Sequence, residues 1–310
     1  MRIIFFGSPA SALPTLEKLL EAGHKIELVI TQPDKPSGRG KAPASSPVKE
    51  FAVKQKIPVL QPVKIRQDES ALETIKKINP DINVVVAYGQ IIPASIIYLP
   101  RFRSLNVHFS LLPKYRGAAP VQWAILRGEE KTGVTIFELN EKMDEGDVLT
   151  KEEVAILLRE NSWQLETRLA HIGAALVAKT LAGIENIRLS HQDHSQASYA
   201  PRLKKEQGRI NWAMDALSVD RMVRAFAPWP GAFTFFKGRR MIIHAGQSAT
   251  DSGLGRRAGQ ILEIRKEGIA VCCGNESVFL VERLQRENKK AMEAAVFLRG
   301  TKIKPGDFFE

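Results

Sequence analysis

Strand-like apolar runs and helical spacing alternate along the first 188 residues. Residues 2–7, RIIFFG, predict a buried strand, 9–22 carry apolar positions at helical spacing and stop at Gly23, and 25–31 predict a second strand. Helices follow near 46–56 and 68–78, the second ending at Asn79-Pro80. Next comes DINVVVAYG, whose unbroken apolar character is that of a strand covered on both faces. RSLNVHFS, a helix near 120–127, the strand GVTIFEL, a short strand after MDEGDVL and a long helix over 162–183 complete the stretch. The economical solution is α/β: an open, mostly parallel, Rossmann-like sheet with helices on both faces.

From 189 to 205, LSHQDHSQASYAPRLKK loses periodicity and turns polar, which predicts a linker. Beyond it the pattern changes. One helix near 218–226 is followed by the short β-like runs AFTFF, RRMIIHAG, GQILEIRK, GIAVCCG and SVFLVERLQ, separated by Gly-containing turns. That spacing predicts a small C-terminal OB-like β-barrel over 206–310, a shape that often holds nucleic acid along one face but can also serve only to support its neighbour. The expected organisation is thus 1–188, a linker over 189–205, and 206–310.

Composition narrows the setting. No apolar stretch approaches the roughly 20 residues of a membrane span, and the chain runs straight into its first strand with no export signal. The two cysteines, Cys272 and Cys273, are adjacent and would point to opposite faces of a strand, so neither a disulfide framework nor a metal-ligand spacing is offered. A reducing, cytoplasmic setting without a metal is expected. The net charge of +11 suits a polyanionic partner, although a basic average alone would read the same. Placement adds to it: KPSGRGKAPASSPVK holds Lys35, Arg39, Lys41 and Lys49 with no acid, which is a basic loop.

The first turn, FFGSPAS, has only Gly7 where a dinucleotide-binding turn has three glycines, and no G-x-x-x-x-G-K-[ST] stretch exists. The chemistry concentrates in NVHFSLLPKYRGAAP. Asn106 and His108 stand two apart and so share one face near the carboxyl end of a strand, where ligands bind in open α/β sheets. An amide can donate to a carbonyl oxygen that gains negative charge, and an imidazole can relay protons near neutral pH, a pair suited to attack of an amine on a carbonyl. Ser110 falls on the same face. EKMDEGDV supplies Asp144 and Asp147 in a Gly-turn after the next strand, and Asp144 is the candidate to orient the ring. Taken singly, a strand-end histidine is more often structural, and Asp-x-Gly turns are common on surfaces. In SLLPKYRGAAP, the leucines either pack in the core or lie exposed beside Lys114 and Arg116 to meet a flat anionic ligand.

NVHFSLLPKYRGAAPVQWAI with MDEGD resembles the formyltransferases that use 10-formyltetrahydrofolate, in particular the branch acting on methionyl-tRNA. RIIFFGSP, TQPDKPSGRGK, VVVAYGQIIP, GRINW and RAFAPWPGAF lie in the order of that family, so the resemblance covers nearly the whole chain. It implies Asn106, His108 and Asp144 as the catalytic set, Ser110, Leu111, Leu112 and Pro113 at the folate, and Lys35, Arg39 and Lys41 at the tRNA. It further implies 10-formyltetrahydrofolate as formyl donor, tetrahydrofolate as product, initiator methionyl-tRNA as acceptor, a C-terminal domain that binds tRNA, and a monomer. Phe109 departs from the small residue usual in that family, and on a strand it should face away from the ligand. Two rivals stay open: a formyltransferase for a small amine with the same three residues, and a tRNA-binding module whose site is inactive.

Overall fold

The apolar runs become the centre of one sheet. In the computed structural model, which describes residues 1–37 and 42–310, the elements run in chain order β1 (Arg2–Gly7), α1 (Leu13–Glu21), β2 (Lys25–Ile30), β3 (Lys35–Ser37), β4 (Ala42–Ala44), α2 (Pro47–Lys54), β5 (Val59–Leu60), α3 (Glu69–Ile78), β6 (Ile82–Val86), α4 (Ala94–Ile97), β7 (Ser104–His108), α5 (Pro120–Leu126), β8 (Lys131–Glu138), β9 (Val148–Ala155) and α6 (Ser162–Ala182). The sheet order is β5-β2-β1-β6-β7-β8-β9. The first five strands are parallel, while β8 and β9 each run antiparallel to the strand before. β3 and β4 form a separate antiparallel pair. No helix among the described residues is long and apolar enough to cross a membrane.

Local chemistry explains the boundaries. The Ser46 side chain accepts from the Lys49 N–H at the start of α2, and that of Asp68 accepts from the Ala71 N–H at the start of α3. α3 stops at Asn79, whose φ of 49° puts it in the left-handed region that an asparagine tolerates.

Each face of the sheet has its own cover. Ile4, Phe6, Ile30 and Val85 pack with Ile75 of α3 and Ile96 and Ile97 of α4. On the opposite face, α6 lies so close that a Cβ built on Gly173 would sit 2.7 Å from Val107 Cγ1. Phe109 faces that side too, 3.6 Å from the same built atom, as the strand alternation predicts. Val107 therefore looks toward α6, and its neighbours Asn106 and His108 look the other way.

The chain clusters into two units. One holds Met1–Pro120, Lys131–Ala155 and Glu166–Pro201; the other holds Val121–Glu130, Ile156–Leu165 and Arg202–Glu310. Most of the stretch expected as a linker is tied into the first unit: Ser190 pairs with Val148, and Arg116 exchanges backbone hydrogen bonds with Ser198 and Ala200. The second unit contains α7 (Ala216–Ala225), β10 (Ala232–Phe236), β11 (Arg239–Ala249), β12 (Ile261–Ile264), β13 (Ile269–Cys272), β14 (Val278–Arg286), β15 (Met292–Glu293) and α8 (Ala294–Arg299). Its antiparallel sheet has the order β10-β11-β14-β13-β12, with β15 on β14. The last residues join the two outer strands: Glu310 exchanges hydrogen bonds with Phe235 in β10, and the Ile261 N–H of β12 donates to the Asp307 carbonyl. Trp212 is buried beneath, stacked on Phe309 at 5.8 Å and donating through Nε1 to Thr234 Oγ1 at 2.9 Å.

Gly173→Ala tests the α6 packing by sign. Helix propensity alone predicts a gain of about 1 kcal/mol, whereas a methyl forced against Val107 costs about 1–3 kcal/mol. The urea midpoint should fall; a rise would show that the helix does not lie this close to β7.

Candidate active site

Asn106 and His108 project together because they are alternate residues of β7, and the strand ends at His108. Asn106 is half-buried, and among the described residues its side chain makes no hydrogen bond. His108 is 6 % exposed. Its Nε2 lies 2.9 Å from the Tyr115 carbonyl oxygen. A carbonyl only accepts, so Nε2 carries the proton and Nδ1 is left facing the Asp144 carboxylate, with Oδ2 at 3.9 Å. Phe137 holds the ring edge-on, at 6.2 Å between centroids and 89° between planes.

Asp144 arrives by a route the sequence hides. Because β8 runs antiparallel to β7, the loop after it leaves at the amino end of β7, where the Leu139 N–H donates to the Ser104 carbonyl. It then folds back over Phe137 toward His108. The return is tight: a Cβ on Gly146 would meet the Glu138 carbonyl oxygen at 1.7 Å, so only glycine fits. Asp144 itself sits at φ 54°, and its Oδ2 accepts the Gly117 N–H at 2.7 Å.

The turn between β7 and α5 is fixed by its own polar groups. The Ser110 hydroxyl, fully buried, donates to the Lys114 carbonyl at 2.7 Å. The Thr135 hydroxyl donates to the Ser110 carbonyl at 2.7 Å and accepts from the Leu112 N–H at 3.1 Å. The Lys151 ammonium donates to the Leu112 carbonyl, and burial holds that ammonium below the usual lysine range. Leu112 packs on Phe137 and Val148 in the core, whereas Leu111 and Pro113 are partly exposed. Of the two leucines read as candidates for exposure, only Leu111 meets solvent.

Arg116 corrects a second expectation. Read as a cation at the mouth of the site, it is 1 % exposed and turned inward. Its Nε and Nη2 donate to Gln192 Oε1 at 3.1 and 2.7 Å, Nη2 donates to His194 Nδ1 at 2.9 Å, and Nη1 lies 3.4 Å from Glu145 Oε1. Gln192 in turn donates to the carbonyls of Asp144 and Gly146 at 2.9 and 2.7 Å. The Arg116–Gln192 contact spans 76 residues and had no signal in the sequence beyond a glutamine within an aperiodic polar stretch. Asp147, the other aspartate of the turn, pairs with exposed His191 at 2.6 Å instead.

Of the basic loop, Lys35 is exposed and donates to Gln32 Oε1 at 3.1 Å, while Arg39 and Lys41 lie outside the described residues. Asp34 accepts from Lys49 and Gln61 at 2.6 and 2.8 Å, which holds its carboxyl below the usual range. On the second unit, Lys237, Arg239, Arg286 and Lys302 surround a groove of about 260 Å³ floored by Phe236 and Met241. Among the described residues no group of three or more His, Cys, Asp or Glu is placed to hold a metal.

The formyl transferase family matches residues 1–181, and the family's C-terminal domain matches 202–302. The chain belongs to the formyl transferase family. Among similar proteins, the methionyl-tRNA formyltransferase of Citrifermentans bemidjiense is 44 % identical, covering 99 % of this chain and 95 % of its own length. That of Alkaliphilus oremlandii is 43 % identical with 99 % of each covered. Similar solved folds include the N-formyltransferase from Helicobacter canadensis in complex with folinic acid and dTDP-3-aminofucose. It has a TM-score of 0.67 at 19 % identity, over 92 % of this chain and 98 % of that one. HypX from Aquifex aeolicus in complex with tetrahydrofolic acid has a TM-score of 0.63 at 19 % identity; the match covers all of this chain and spans half the length of that one.

Thr135→Val preserves shape but leaves the Ser110 carbonyl and the Leu112 N–H unpaired in a buried turn, which should cost about 1–3 kcal/mol. A urea midpoint equal to the parent's would mean that Thr135 does not hold this turn.

Proposed function

We propose that the chain transfers the formyl group of 10-formyltetrahydrofolate to the α-amino group of the methionine carried on initiator tRNA, releasing tetrahydrofolate. The observation that carries the chemistry is a half-buried amide on the same strand face as an imidazole of defined tautomer, which faces a held carboxylate: Asn106, His108 and Asp144. The acceptor is supported by relatives named for methionyl-tRNA that match through both units, over 99 % of this chain. The basic groove of the second unit suits a polyanion.

The folate supplies the formyl carbon. Asn106 donates to the formyl oxygen as negative charge gathers there. The amine, with a pKa of about 7.7–8.0, is partly neutral near pH 7 and forms the new C–N bond with its lone pair. The proton it loses is held at His108 Nδ1, where Asp144 steadies the charged ring, and passes to the folate N10 as the old C–N bond breaks. No proton is gained or lost overall. The exposed faces of Leu111 and Pro113, with the backbone of the pinned turn, would meet the folate; Ser110 and Leu112 act from behind by fixing that turn. Lys35, Arg39 and Lys41 would reach the tRNA. The reading places the enzyme in the cytoplasm as a monomer.

A formyltransferase for a small amine could use the same three residues, but it would have no need of the second unit's basic groove. Purified protein given 10-formyltetrahydrofolate and a choice of methionyl-tRNA or an amino sugar nucleotide should formylate only the tRNA, and His108→Ala should lower kcat about 10²–10⁴-fold. Formyl on the sugar amine, or on neither, contradicts the assignment. Arg39→Ala should raise KM for tRNA alone and flatten the dependence of affinity on salt by about 0.7–0.9 in log–log slope. An unchanged slope would remove the loop from the tRNA contact.

A further inference from the structure

We propose that Arg116 and Gln192 form a positioning pair that sets the Asp144 carboxylate against His108, so that the polar stretch after residue 189 is part of the catalytic apparatus. The inference rests on the formyl-transfer reading and extends it to two residues that touch no reacting atom.

Asp144 has few other means of support. Its backbone is in the left-handed region, which an aspartate occupies only where its surroundings hold it. The loop that carries it is anchored at its beginning by Leu139 on Ser104 and at its end by the Glu138 N–H donating to the Asp147 carbonyl. Between those points, Gln192 is the side chain that donates to backbone carbonyls on both sides, at Asp144 and Gly146.

Gln192 cannot choose its own orientation, since an amide presents an oxygen and a nitrogen of similar shape. Arg116 chooses it. Two guanidinium N–H groups converge on Oε1, which forces the NH₂ toward the loop. The guanidinium is buried beside Glu145, the residue after Asp144, so its charge holds the same loop from a second side. Its backbone neighbour closes the circuit, because the Gly117 N–H is the donor to Asp144 Oδ2. One short segment thus grips the carboxylate directly through residue 117 and its loop indirectly through residue 116.

The planar fork matters here, and lysine cannot reproduce it. Gln192→Ala should lower kcat about 10²-fold with KM for both substrates within about twofold of the parent, since misplacing a reacting group by about 1 Å has an effect of that size. Arg116→Lys should produce a similar loss although charge is kept. The decisive comparison is Gln192→Ala made in an Asp144→Asn background. If Gln192 acts through the carboxylate, it should then cost less than about threefold, because partners in one network are not additive.

An equal loss in both backgrounds, or full activity in a stably folded Gln192→Ala protein, overturns the positioning role. If Gln192→Ala does not fold, Gln192→Glu provides the same comparison: it keeps the size and the acceptor for Arg116 but removes both donors to the loop. Full activity of Asp144→Asn itself would instead show that the formyl-transfer assignment of Asp144 is wrong, a failure separate from that of the pair.

Discussion

The Asp144 carboxylate, held by the Gly117 N–H at 2.7 Å and facing His108 Nδ1 at 3.9 Å, is the contact on which the site depends. It joins two loops at opposite ends of β7, the 109–119 turn that follows β7 and the 139–147 loop that follows β8. Beside the packing of Leu112 and Leu139 on Phe137 and Val148, each loop is fixed by polar groups or close approach: the 109–119 turn by Ser110, Thr135 and Lys151, the 139–147 loop by Gly146 and Gln192. The carboxylate is where these two sets of restraints meet. The carboxylate is partly exposed, and the Gly117 N–H supplies its hydrogen bond.

Preorganisation follows from these restraints. The imidazole is held by the Tyr115 carbonyl at Nε2 and by Phe137 at its edge, with Asp144 Oδ2 3.9 Å from Nδ1. Only Nδ1 is left to handle a proton. The Asn106 side chain, by contrast, makes no hydrogen bond among the described residues. Fixed groups around an amide donor are what stabilisation of developing charge requires, because nothing has to reorient as the reaction proceeds.

Much of this was legible in the sequence where the physics is local. Period-2 alternation put Asn106 and His108 on one face and Phe109 on the other, and continuous apolar runs gave the buried strands. The polar Gly-turn after the following strand gave Asp144. What was not legible depends on direction and distance. No residue pattern says that β8 reverses, so the path of the 139–147 loop stayed hidden. Arg116 reads as a surface cation until Gln192, 76 residues later, is seen to receive it. The polar stretch of 189–205 reads as a linker because polar groups such as Gln192 and Ser198 make its ties to the rest of the unit, which leaves no apolar period behind. The same blindness covers Glu310 and Asp307, whose backbone joins both outer strands of the second sheet.

Nitrogen NMR of the His108 ring tests the central geometry most directly, since it reports which nitrogen bears the proton without reference to any substrate. The structure requires the neutral ring to carry its proton on Nε2, bonded to the Tyr115 carbonyl, and Asp144→Asn to leave that proton in place while perturbing Nδ1. A neutral ring protonated at Nδ1, with Nε2 free and Nδ1 insensitive to residue 144, would contradict the account.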